Sequence, residues 1–128
     1  MLDSRKKLGE KGEKLAAKFL KRKGYKIIQL NYRCKLGEID IIAQQDRTLI
    51  FAEVRTKQTE KFGPPQYSVS AAKRKQISKA ALCYIKEKRL TEQSCRFDVI
   101  AITFSKESRR PMIEHIENAF ELSRWYAY

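Results

Sequence analysis

The sequence predicts an α/β fold: one domain in which a mixed β-sheet is covered on both faces by helices. Three observations predict it. Apolar residues recur at helical spacing in two stretches. Several short runs are apolar almost throughout rather than alternating, the mark of strands buried on both faces. A helix separates the third strand from the fourth, which demands a crossover and a parallel pair.

The first helix is expected near residues 5–23. Leu8, Leu15, Ala16, Phe19 and Leu20 form its apolar face. Glu13 falls close to Leu20, on the border of that face. Gly24 ends the helix, with Lys21, Arg22 and Lys23 in the last turn. Strands follow over 25–33, 37–43 and 48–54. Asp46-Arg47 makes a hairpin of the second and third. The polar stretch 56–70 holds Gly63, Pro64 and Pro65 and reads as a mobile loop. Ser70 caps a second helix over 71–88, whose apolar face is Ile77, Ala81, Tyr84 and Ile85. A fourth strand spans 96–104, SKESRRP turns the chain, and a short fifth strand spans 112–118. AFELSRWYAY closes the chain as a short helix or tail from about residue 119 to 128. The order is α-β-β-β-α-β-β.

With 128 residues the chain suits one compact domain over 1–128. No apolar run approaches the ~20 residues that span a bilayer. The first residues lack the apolar core of a secretory signal, so a cytoplasmic protein is expected. Cys34, Cys83 and Cys95 are far apart, and His115 is the single histidine, which argues against structural zinc. The net charge is +13, from 28 Lys and Arg against 15 Asp and Glu. Such an excess favours a polyanionic partner: nucleic acid first, an anionic membrane surface second.

The chemistry lies in GEIDIIAQQDRTLIFAEVRTK. Two apolar strands each carry an acid, Asp40 and Glu53. If the hairpin turns symmetrically about Asp46-Arg47, Asp40 faces Glu53 and Glu38 faces Arg55. Like charges directly opposite are destabilising, and a divalent cation reverses the sign. Mg²⁺ prefers one or two carboxylates together with water and phosphate oxygens. Such an ion activates water and neutralises charge on a phosphoryl group. Arg55 and Lys57 share a face with Glu53. Arg55 is placed to hold a phosphate or developing charge; the structural alternative is a salt bridge to Glu38. By spacing alone, Asp40 and Glu53 read equally well as ordinary carboxylates at a strand end.

These residues carry a resemblance. An Asp in an apolar strand after G-E-I, then Glu-x-[Lys/Arg] in the next strand, resembles the PD-(D/E)xK motif of the restriction-endonuclease-like superfamily. The helix carrying Glu13 is similar to that of archaeal Holliday-junction resolvases. The blocks GEKGEKLAAKFLKRKGYKII, NYRCKLGEIDIIA, LIFAEVRTK, RFDVIAI and IEHIENAF together resemble the YraN-like family of small bacterial proteins, over roughly residues 9–121. The resemblance implies a restriction-endonuclease-like sheet. It also implies a Mg²⁺ or Mn²⁺ site at Asp40 and Glu53, with Glu13 a third member. One departure stands out: the family pattern places Lys after E-V and Arg two residues later, whereas this chain reads Arg55-Thr56-Lys57. Lysine can shed a proton and arginine effectively cannot. Lys57 lies about 7 Å further along the strand.

Lys73, Arg74, Lys75 and Lys79 open the second helix, where free N–H groups and cations suit a nucleic-acid backbone; the alternative is a solvated basic turn. Tyr67 could stack on a base. Asp98 beside Arg96 reads as a local ion pair or cap, and His115 as a hydrogen-bonded histidine at the sheet edge. Trp125, Tyr126 and Tyr128 read as packing groups or a partner contact.

The expected function is a metal-dependent nuclease acting on nucleic acid, DNA favoured over RNA and branched DNA among the substrates. No membrane is expected as a partner, and the resolvase likeness suggests a homodimer. The alternatives are a nucleic-acid-binding protein whose nuclease site is degenerate, and a basic scaffold that binds a protein through its aromatic tail.

Overall fold

Two helices pack on opposite faces of one five-stranded sheet. The computed structural model describes residues 2–60 and 69–122. The elements are α1 (Leu2–Arg22), β1 (Lys26–Cys34), β2 (Gly37–Gln45), β3 (Thr48–Thr59), α2 (Ala71–Glu87), β4 (Ser94–Ser105) and β5 (Ser108–Phe120). The strand order is β1-β2-β3-β4-β5. All neighbours are antiparallel except β3 and β4, which run parallel because α2 carries the chain back across the sheet. Among the described residues no helix is long and apolar enough to cross a membrane.

The strands are apolar on both sides because each side faces a helix. On the α1 side lie Ala16, Ala17 and Leu20 with Ile41, Ala43, Ile50, Ala52, Ile100 and Ile102. On the α2 side lie Ile77, Ala81 and Tyr84 with Ile42, Leu49, Phe51, Phe97 and Val99. The end of α1 is a full glycine cap. Gly24 has φ +92, its N–H donates to Lys21 O, and the Tyr25 N–H reaches back to Leu20 O at 3.0 Å. At α2 the Ser70 hydroxyl accepts the Lys73 N–H at 3.1 Å, the expected N-cap.

The differences from the sequence expectation that change the sheet lie in β3 and β5. β3 runs to Thr59, since its polar end keeps pairing with β4 as far as Thr59–Ser105. Ladder bonds there outweigh side-chain polarity. β5 spans Ser108–Phe120, longer than 112–118, because Lys106-Glu107 alone makes the turn and Ser105 faces Ser108. Ala119 and Phe120 therefore end a strand rather than begin a tail, and Phe120 stacks on Phe97 with ring centroids 4.9 Å apart. Tyr67, Gly63, Pro64 and Pro65, and Trp125, Tyr126 and Tyr128, lie outside the described residues.

Asp98 is fully buried and ties the sheet to the end of α1. Arg96 grips it with two bonds, Nε to Oδ1 at 2.8 Å and Nη2 to Oδ2 at 2.9 Å. The Asn118 N–H donates to Oδ1, and His115 Nε2 lies 2.7 Å from Oδ2. Lys23 Nζ is 2.8 Å from His115 Nδ1. An ammonium only donates, so Nδ1 accepts and Nε2 carries the proton towards Asp98. Burial alone pushes the Asp98 carboxyl up, but His115, Arg96 and the Asn118 N–H together hold it below its ordinary value. The ion pair with Arg96 and the hydrogen-bonded histidine agree with the sequence reading.

Two predictions arise from this packing. A Cβ at Gly12 would overlap Thr56 Oγ1, with Thr56 Cγ2 and Cβ at 3.1 and 3.2 Å, whereas a Cβ at Gly9 meets nothing within 4 Å. Gly12→Ala should therefore cost about 1–3 kcal/mol by overpacking, outweighing its helix-propensity gain. Gly9→Ala should stabilise by up to about 1 kcal/mol; urea midpoints read both. Asp98→Ala should cost about 3–5 kcal/mol at pH 7, because it strands Arg96 without its partner. A depressed carboxyl contributes fully above its ordinary 3.8 and fades as pH falls through its folded value. The gap between wild type and Asp98→Ala should thus shrink in acid, in urea melts run from pH 7 to pH 3.

Candidate functional site

The β2–β3 hairpin keeps the symmetric register from Gln45–Thr48 to Ile41–Ala52 and then stops. The expected next pair, Asp40 with Glu53, is where the strands part. Two features of β2 and β1 cause this. Ile39 and Ile41 are two residues apart yet belong to opposite core layers, so the pleat is broken at Asp40. Across on β1, Asn31 has φ +52, a left-handed conformation that Asn tolerates better than most residues.

Where β2 leaves, β3 would lose a hydrogen-bond acceptor. Asp40 replaces it: Oδ2 accepts the Val54 N–H at 2.8 Å. This brings the Asp40 carboxylate against Glu53, with a hydrogen bond between the two acids. Glu53 is 8 % exposed. Burial first, then the charge of Asp40 and that hydrogen bond, push the Glu53 carboxyl up to about 8, while Lys73 and Arg55 pull it down. Glu53 thus holds its proton more tightly than an ordinary carboxyl.

Glu13 approaches from α1 and is partly buried. Burial, then the charge of Asp40, raise its carboxyl above the ordinary value; a hydrogen bond from Asn31 opposes them. Among the described residues, no three His, Cys, Asp or Glu side chains stand close enough to hold one ion. The acids therefore form a contact pair, Asp40 and Glu53, with Glu13 as an electrostatic neighbour. A cleft of about 430 Å³ opens beside them, lined by Arg5, Gly9, Glu13, Val54, Arg55 and Thr56 among others. Gly12 lets α1 approach β3 closely enough to form its wall.

The basic residues divide. Arg55 is exposed on the cleft wall, and its charge reaches Glu53. Lys57 is exposed further along β3, opposite Thr103 of β4. Glu38 does not face Arg55. Because β2 has already left β3, Glu38 pairs with Arg33 of β1, Nε to Oε2 at 3.3 Å. On α2, Arg74 and Lys75 are exposed, and Arg74 Nε donates to Val69 O. Lys79 is half-buried. Lys73 instead reaches across to the acid pair, Nζ 3.7 Å from Glu53 Oε2. Sequence reasoning gave Lys73 to a nucleic-acid backbone together with Arg74, Lys75 and Lys79, and passed over Asn31. A polar residue inside the strand YKIIQLNYR was the one signal for Asn31. Lys73 had none, since its contact depends on how α2 lies on the sheet.

The chain has clear relatives. Residues 12–102 match the uncharacterised protein family UPF0102. A UPF0102 protein of Geobacter metallireducens is 51 % identical over 118 residues, covering 92 % of this chain and 95 % of the relative. One of Geobacter sulfurreducens is 50 % identical over 116 residues, 91 % of this chain and 90 % of the relative. One of Pelotomaculum thermopropionicum is 43 % identical over 120 residues, 94 % of this chain and all of the relative. With its helices, its sheet and the Asp40–Glu53 pair all inside or overlapping the matched span, this chain belongs to the UPF0102 family.

Proposed function

We propose that this chain is a nuclease that hydrolyses phosphodiester bonds in nucleic acid with the help of Mg²⁺ or Mn²⁺. The observation that carries the reading is the contact of Asp40 with the buried Glu53 where β2 and β3 part, beside an open cleft. Two carboxylates held together, one of them pushed up to about 8, form an environment that favours a positive charge between them. Their hard oxygen donors fit a divalent cation that prefers one or two carboxylates and fills its other positions with water and phosphate. Asp40 and Glu53 would hold the ion, and Glu13 would add a third negative charge at the edge. When bound, such an ion supplies a more acidic water and neutralises charge on the phosphoryl oxygens.

The chain's own residues do the rest. Hydrolysis joins the oxygen of water to phosphorus and breaks one P–O ester bond. The proton that water loses ends on the leaving oxygen, giving a phosphomonoester and a hydroxyl. Arg55 stands on the cleft wall as a fixed cation for the phosphate. Arg74, Lys75 and Lys79 offer contacts to a nucleic-acid backbone from α2. We favour DNA over RNA, a restriction-endonuclease-like form of the sheet, a homodimer and a cytoplasmic setting. The arrangement α-β-β-β-α-β-β, with both acids on adjacent strands, supports that form of the sheet. One observation favours a second reading: neither cation beyond Glu53 on β3 is a buried lysine, since Arg55 and Lys57 are both exposed. On that reading the protein binds nucleic acid without cutting it.

A panel of labelled duplex, single-stranded and branched DNA and RNA, incubated with Mg²⁺, Mn²⁺ or EDTA, decides between them. Metal-dependent cleavage that falls at least about 100-fold in Asp40→Ala supports the nuclease; binding without cleavage on every substrate selects the second reading. A separate prediction concerns the metal-free acid pair. Carboxyl-carbon NMR should find one group titrating near 8 and should see it fall in Asp40→Asn. A carboxyl raised on folding favours the protonated folded state. The metal-free protein should therefore lose stability as pH rises from the ordinary 4.5 to about 8, and less so in Asp40→Asn.

A further inference from the structure

We propose that Lys73 is the catalytic lysine of this site: its ammonium, anchored on Glu53, donates a hydrogen bond to a non-bridging oxygen of the phosphate being hydrolysed. The inference rests on the nuclease reading above and gives that site a residue from a different element, α2.

The geometry points here from three directions. First, Lys73 Nζ lies 3.7 Å from Glu53 Oε2, with the two side chains 29 % and 8 % exposed. The pair stands at ion-pair distance against a side chain that is almost wholly buried. Second, the position of Lys73 is fixed. Its backbone N–H is held by the Ser70 cap at 3.1 Å, which sets where the first turn of α2 stands over the sheet. Third, the placement runs against helix electrostatics. The first turn of α2 carries no acid, and cations are disfavoured at a helix N-terminus. Lys73 shares that turn with Arg74 and Lys75, and its own ammonium lies against the acid pair.

The cations of β3 do not provide the same group. Arg55 lies about 7 Å along the strand from Glu53, and Lys57 about 13 Å. Both are exposed. An ammonium is a compact charge with three donors, so it can stay paired with Glu53 at 3.7 Å and donate to a phosphate oxygen. Lys73 thus fills from the α2 side the place that the exchange of Arg55 and Lys57 leaves without a lysine. The competing role is a counter-ion that only neutralises Glu53.

The test compares wild type, Lys73→Met and Lys73→Arg on the best-cleaved member of the nucleic-acid panel. Single-turnover cleavage, affinity by fluorescence anisotropy in EDTA, Mn²⁺ binding by calorimetry without nucleic acid, and melting temperature are read together. We expect Lys73→Met to cleave at least about 100-fold more slowly, with nucleic-acid affinity within about threefold because one phosphate contact is a small part of the total. Mn²⁺ should bind more tightly, by about tenfold, since a competing cation has left the acid pair. Lys73→Arg should recover part of the rate. Should Lys73→Met fail to melt cooperatively, Lys73→Gln takes its place. A neutral variant that cleaves within threefold of wild type overturns the proposal and leaves Lys73 a counter-ion. Rate and affinity lost in equal proportion also overturn it, making Lys73 a backbone contact. A wild-type protein that cleaves nothing removes the nuclease reading and this inference with it.

Discussion

The hydrogen bond from the Val54 N–H to Asp40 Oδ2 is the interaction on which the site depends. A strand that loses its neighbour exposes a donor, and a buried donor without a partner costs about 1–3 kcal/mol. Asp40 meets that need from the departing strand itself. The neutral amide of an asparagine could have done the same. A carboxylate does it while placing a second negative charge against Glu53, which is unfavourable unless something positive joins them. Lys73 and Arg55 offset part of that repulsion, while burial first and the charge of Asp40 second keep the Glu53 carboxyl raised. The parting of β2 from β3 also leaves Glu38 with Arg33 of β1.

The chain holds a second buried acid that sharpens the contrast. Asp98 is as deep as any residue in the core, yet its carboxyl is held down. Its two oxygens are taken by Arg96, His115 and the Asn118 N–H, and it is fully buried. A carboxylate saturated in this way fixes the relative position of β4, β5 and the end of α1. The Asp40–Glu53 pair is the opposite: two acids on one another, a raised proton affinity and an open approach. Buried acids are costly in both places. Only in the second is the cost left partly uncompensated, which is the pattern expected of a site awaiting a ligand.

Much of this was legible before any coordinates. Periodicity gave both helices, since Ala16 and Leu20 on one and Ile77, Ala81 and Tyr84 on the other could be buried in no other arrangement. Ser70 and Gly24 read correctly as caps because capping is local chemistry. The hairpin register followed from a two-residue turn at Asp46, whose φ of +52 an aspartate accepts. The misses were all non-local. The polar ends of β3 and β5 are strands because a neighbour pairs with them, which no hydropathy pattern records. The stop at Ile41–Ala52 depends on Asn31 across the sheet. The reach of Lys73 to Glu53 depends on how α2 lies over β3.

The balance of charge closes the argument. On the proposed reading, a surplus of +13 attracts a polyanion within about a Debye length of this surface, and further out at low salt. The last few ångströms are different. A phosphate entering the cleft, on that reading, meets Glu13 on its wall, with the Asp40–Glu53 pair close to the Val54 that also lines it, and the local field of these acids opposes it. Arg55 and Lys73 stand at the rim of that field, each already engaged with the charge of Glu53. Global attraction with local repulsion is a poor design for a protein that only binds nucleic acid, because every acid in the groove weakens the complex. It suits a site in which an added positive charge switches the local sign. On the proposed reading, affinity comes from the basic surface and chemistry from the acids, and the two can be weakened separately.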